Sequence, residues 1–132
     1  MLQITGFYAS LLALIILWLC YKVVVFRRVK RVEIGDGGDE VGIRHIRAQQ
    51  NAVEYIPIVL ILMGAYELNQ GNLYLLHAVG VLMVLARLMH PSGFVNRKGV
   101  SFGRFYGTAL TWLSILILAI ANLISFFMQL LP

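Results

Sequence analysis

Four apolar stretches, at about residues 7–26, 46–68, 73–90 and 105–131, each approach the length at which a helix crosses a bilayer. Backbone N–H and C=O groups have no water partner in hydrocarbon, so such stretches are helices or strands of a closed barrel. Barrel strands read as segments of about ten residues with alternating polarity, and the sequence has none. The expected fold class is therefore all-α, a four-helix transmembrane bundle occupying residues 1–132 as a single membrane domain. Its short connectors predict an up-down-up-down order. Composition agrees, because 13% of the 132 residues are charged, about half the share in a soluble domain. That excludes disorder and most soluble folds.

The first stretch is not a cleaved signal peptide: its start carries no basic residue and its apolar run is too long. The net charge of +5 would favour nucleic acid on a soluble domain. Here the basic residues are few and sit between apolar runs, so they report orientation instead, and no nucleic-acid partner is expected. Arg27, Arg28, Lys30, Arg31 and Arg44 fall in the first connector, and Arg97 and Lys98 in the third, with Arg104 at its edge. The second connector and both termini have none. The positive-inside rule then places the first and third connectors in the cytoplasm and both termini on the opposite side.

A charge at the centre of a span costs at least ~2.5–3.5 kcal/mol, so polar residues inside the spans need a reason. On the second span Arg47, Asn51 and Glu54 fall within about 60° of one another, with Gln50 and Tyr55 flanking them. Arg87 and His90 share a face of the third span, and Arg104 opens the fourth. The arginines, taken singly, could be anchors whose guanidinium groups reach the head groups. Glu54 cannot anchor to anionic lipid; its plain alternative is a salt bridge to Arg87 or Arg47. Asn51 alone could join helices by hydrogen bonding. As a set, the stripe offers cationic, amide and carboxylate groups to one ligand.

The run Arg47-Ala48-Gln49-Gln50-Asn51-Ala52-Val53-Glu54-Tyr55-Ile56-Pro57 resembles the hallmark of the membrane-associated proteins in eicosanoid and glutathione metabolism, the MAPEG family. That hallmark is an arginine, an asparagine four on, a glutamate three further and a proline soon after. The Arg27-Arg28 pair, Ala86-Arg87-Leu88 and the Gly35-Asp36-Gly37-Gly38 turn are similar too, the last to bacterial members. The resemblance covers nearly the whole chain. It implies a homotrimer in a bacterial inner membrane, with glutathione as co-substrate between subunits near the cytoplasmic face and a lipophilic small molecule as second substrate. Glutathione binding falls to Arg27, Arg28, Arg47, Gln50, Asn51, Glu54, Tyr55, Arg87 and His90, and thiol activation to Arg104, with Arg97 a weaker claimant. Phe94 departs from the tyrosine of several relatives, which removes a hydroxyl and leaves a non-catalytic glutathione binder in view.

The chemistry suits those residue types. Guanidinium forks bind carboxylates through paired hydrogen bonds, Glu54 suits an ammonium, and Asn51 can donate or accept toward a peptide group. A thiol with pKa near ~8.5 is a weak nucleophile at neutral pH, and an adjacent guanidinium favours its thiolate. A thiolate so formed would attack an electrophile or reduce a hydroperoxide.

Other features carry less. Asp36, Asp39 and Glu40 lack the ligand spacing of a calcium loop, and the lone Cys20 reads as apolar filler, so no metal is expected. His77 and His90 point about 140° apart, which argues against haem. Of Gly99, Gly103 and Gly107, the first two read as loop glycines, and Glu67 reads as interfacial. A small proton-coupled four-span transporter is the rival class. Its glutamate would belong in the first span, which has none.

Overall fold

The computed structural model describes residues 1–95 and 101–130, with backbone alone for 93–95. It consists of four helices: α1 (Gln3–Lys30), α2 (Glu40–Leu68), α3 (Leu73–Val95) and α4 (Phe102–Leu130). No strand occurs among the described residues, and all four helices are long and apolar enough to cross a membrane. The chain is an all-α four-helix bundle.

The helices overrun the apolar stretches. At 1.5 Å per residue the 28 residues of α1 measure about 42 Å, against roughly 30 Å of hydrocarbon. Arg27 and Arg28 thus lie in the last turn of α1 and Arg44 within α2, not in a connector as the sequence predicts. No breaker separates those basic residues from the spans, and the helix continues into water. Gly103, expected in a loop, lies in the first turn of α4, and α3 runs through Pro91 to Val95. Arg97, Lys98 and Gly99, and the side chain of Phe94, lie outside the described residues.

The helix ends are closed by specific groups. The start of α1 has no cap of its own; Glu67 at the end of α2 supplies one, its carboxylate accepting the N–H groups of Ile4 at 2.9 Å and Thr5 at 2.7 Å. A carboxylate also suits the positive end of a helix, so Glu67 does more than sit at the interface. At the other end Arg31 adopts a left-handed conformation (φ 56°), which lets the Val32 N–H reach the Arg27 carbonyl at 2.9 Å. Asp39 caps α2 through the Val41 N–H at 2.8 Å and pairs with Lys30 at 2.9 Å. The Lys30 ammonium and then the Val41 N–H hold the Asp39 carboxyl below the usual carboxylate range. This stabilisation is full above the ordinary carboxylate pKa and is lost as pH falls through the lowered one.

α2 and α3 form the centre of the bundle: each packs on the other and on both outer helices, while α1 and α4 stand at opposite corners and do not meet among the described residues. Leu12, Val59, Met63, Leu76, Met83 and Leu118 fill the middle. Toward the termini, the Tyr8 hydroxyl donates to the His77 carbonyl at 3.2 Å and lies 3.1 Å from its Nδ1. Toward the basic end, α3 and α4 approach closely at Gly107. A Cβ there would stand 2.7 Å from the His90 Cβ and 2.9 Å from the Ala86 carbonyl. Gly107→Ala is expected to cost about 1–3 kcal/mol, read as a lower thermal midpoint in detergent. An unchanged midpoint would show that the two helices have room to spare.

Candidate functional site

Arg87 organises the basic end of the bundle. It is a fully buried side chain, at 1% exposure, and spans from α3 to both neighbours. Its Nη1 donates to Asn51 Oδ1 on α2 at 2.8 Å, and its Nη2 to the Gly107 carbonyl at 3.1 Å and to Thr111 Oγ1 on α4. Thr111 passes its own proton to the Gly107 carbonyl at 2.7 Å. The Arg87 Nε is buried with no partner, and none of the described carboxylates pairs with this guanidinium. The salt bridge between Arg87 and Glu54 that the sequence allows is therefore not formed.

These contacts orient Asn51. A guanidinium is a donor and nothing else, so the oxygen of the Asn51 amide must face Arg87 and its NH₂ must face away. Asn51 is half-buried, and its neighbours on the same face of α2, Arg47, Gln50 and Glu54, are exposed. Arg47 donates to Gln50 Oε1 at 3.3 Å. Glu54 has neither an ion pair nor a hydrogen bond among the described residues, which also removes its pairing with Arg47. A cation, two amides and a carboxylate thus line one strip of α2, with Arg47, Gln50 and Glu54 exposed and Asn51 held from behind by Arg87.

The strip continues onto α4. The Trp112 indole N–H donates to the Tyr55 hydroxyl at 3.2 Å, which leaves that hydroxyl's proton directed elsewhere. Arg104, Thr108 and Trp112 recur every four residues on one side of α4 and line a groove of about 420 Å³ with Phe105 and Ala109. His90 is buried against Gly107. The structure thus gathers Asn51, Tyr55, Arg87, His90 and Arg104 about the basic ends of α2, α3 and α4. It does not bring Arg27 and Arg28 to them. These line a separate cleft at the end of α1 with Arg31 and Glu33, where the Arg27 Nε donates to the Gly35 carbonyl at 3.2 Å. α1 and α4 do not meet among the described residues, and within one protomer the α1 pair and Arg104 line different clefts.

Gly107, which the sequence places inside the fourth span in a series of glycines suited to close helix approach, is where α4 meets α3. Two contributors escaped the sequence reading, Thr111 and Trp112. Thr111 was detectable as a polar residue four on from that glycine, with Ser114 one turn further. Trp112 carried no comparable signal, because an indole in a span reads as lipid-facing.

Four membrane-length helices define a multi-pass membrane protein, here with a polar strip on one face of α2. The sequence from residue 5 to 124 matches the MAPEG family model, and the chain belongs to that family. It is 38% identical over 121 residues to the inner membrane protein YecN of Escherichia coli K12, covering 92% of this chain and 91% of that one. The same protein from Escherichia coli O6:H1 matches equally. No solved structure matches the chain.

Proposed function

We propose that the protein is a glutathione transferase, with peroxidase activity where the acceptor is a hydroperoxide, working as a homotrimer in a bacterial inner membrane. The single observation that carries this reading is the strip of Arg47, Gln50, Asn51 and Glu54, in which Glu54 has no partner among the described residues, Arg47 meets only Gln50, and Asn51 is held from behind by Arg87. Membership of a glutathione-associated family supports the ligand. The separation of Arg27 and Arg28 from Arg104 supports a site completed by a second copy, in which the α1 pair of one protomer faces the α2–α4 strip of the next.

In this reading Arg47 and the α1 arginines take the two carboxylates of glutathione, Glu54 takes its ammonium, and the outward NH₂ of Asn51 donates to a peptide carbonyl. Tyr55, Gln50 and His90 complete the walls. Arg87 works one step back, holding Asn51, and its buried charge gains the counter-anion it lacks when the anionic tripeptide binds. Arg104 favours the thiolate. The Cys–S⁻ of glutathione then attacks the electrophilic carbon of a lipophilic acceptor, forming a C–S bond and expelling the leaving group with its electron pair. The groove at Phe105 and Trp112 suits an apolar acceptor arriving through the bilayer. The basic ends face the cytoplasm, where glutathione is supplied, and both termini lie opposite.

Glu54→Ala tests the binding mode. Glutathione affinity measured by titration calorimetry in detergent is expected to fall about tenfold, the loss of one charge-assisted hydrogen bond of ~1.5 kcal/mol. The thermal midpoint should not move, because Glu54 is exposed and unpaired among the described residues. Wild-type affinity in this variant would remove Glu54 from the site.

A further inference from the structure

A second cleft lies on the other side of the bundle, between the basic ends of α1, α2 and α3. Its volume is about 230 Å³, and it is lined by Trp18, Leu19, Lys22, His45, Ala48, Pro91 and Ser92. An engineered cavity of about 150 Å³ accommodates benzene, so this one has room for a phosphate and part of a glycerol. His45 lies about 200° around α2 from Arg47, so the cleft is distinct from the strip described above. Apolar walls meet two basic side chains here, and no carboxylate lines it.

We propose that this cleft holds the phosphate head group of an anionic membrane phospholipid, with Lys22 as its principal contact and an acyl chain running down Trp18 and Leu19. Depth is the first argument. Counted from Gln3 at the far surface, where Glu67 caps the helix, 30 Å of hydrocarbon ends about 20 residues along α1, at the level of Lys22. The second argument is the state of Lys22. It forms no ion pair among the described residues. It lies 5.7 Å from the Trp18 ring, one turn deeper, where an anion at the hydrocarbon boundary would meet it. Third, the imidazole of His45 is set beside the cleft by Phe26, ring centres 6.2 Å apart, while the Ser92 hydroxyl at the mouth donates to the Met89 carbonyl at 2.7 Å and leaves the cationic contact to Lys22. Basic pockets between helices on the cytoplasmic side recognise anionic head groups by this combination.

The two tryptophans of the chain, Trp18 and Trp112, make the test direct. In a Trp112→Phe background the remaining Trp18 reports the cleft by fluorescence. The protein is reconstituted in phosphatidylcholine vesicles containing a minor share of either phosphatidylglycerol or phosphatidylcholine brominated near the top of the acyl chains. The brominated anionic lipid is expected to quench Trp18 with about fivefold preference, the size of one lysine contact at a membrane surface. Lys22→Gln should bring the ratio to about one, and Lys30→Gln, outside the cleft, should leave it intact. Ser92→Phe, an exposed position at the mouth, should abolish the preference by filling the cleft with every charge retained. Equal quenching by both lipids in the parent protein would overturn the proposal. So would a preference that survives Lys22→Gln or Ser92→Phe, or one that Lys30→Gln lowers equally. Loss of quenching on adding excess inorganic phosphate would make the site one for a free anion and end the lipid assignment.

Discussion

Arg104→Ala is expected to bind glutathione and fail to ionise it. Free in water at pH 7, a thiol of pKa ~8.5 is about 3% thiolate. An opposite charge within a few ångströms lowers a pKa by roughly 1–3 units, and a two-unit shift raises the thiolate fraction to about three-quarters. Removing the guanidinium should therefore reduce the thiolate of bound glutathione about 25-fold. Stopped-flow absorbance in the thiolate band reads this directly, and turnover of a halogenated nitrobenzene should fall with it. Arg104→Lys keeps a positive charge without the planar fork, so it should retain part of the signal. A thiolate band of full amplitude in Arg104→Ala would assign the activation to another residue.

Arg87 gives the second large effect, and two substitutions separate its roles. Arg87→Ala opens a cavity in the core and leaves Asn51 Oδ1 without its donor. Together these are expected to cost about 2–4 kcal/mol, seen as a lowered thermal midpoint. Arg87→Met fills most of the volume and removes a buried cation that has no carboxylate beside it. Exchanging a buried charge for a well-packed apolar side chain is often close to neutral for stability. The Met variant should therefore fold, yet its Asn51 amide is free to turn, and glutathione affinity should fall about tenfold, or ~1.4 kcal/mol. Unchanged affinity in Arg87→Met would mean that the Asn51 orientation does not matter to the ligand.

The bilayer explains which parts of this architecture the sequence discloses. Hydrocarbon imposes both helix and length, so four spans are legible from four apolar runs. Polar residues stand out against such runs, and the Arg47–Asn51–Glu54 stripe is visible for that reason. Beyond the hydrocarbon the same constraint lapses: nothing in Arg27, Arg28 or Arg44 marks whether the chain is still helical, and the structure extends the helices through all three. The partners of Arg87 are equally silent. A buried guanidinium invites a search for a carboxylate, and Glu54 is near in sequence pattern, but the contacts fall to an amide, a hydroxyl and a backbone carbonyl. That carbonyl is reachable because Gly107 has no side chain. The placement of α1 and α4 at opposite corners depends on packing among all four helices, which the periodicity of any single helix does not encode. Glu67 illustrates the same point, since its partners are N–H groups on α1, more than 60 residues away.

The proposed activity requires a glutathione thiol ionised against this protein's own arginines. Purified wild-type protein, titrated with glutathione at pH 7 and followed in the thiolate absorbance band, tests that most directly. A saturable rise is predicted, with the same midpoint as the heat of binding. Binding heat with no thiolate signal, or neither signal at saturating glutathione, would contradict it.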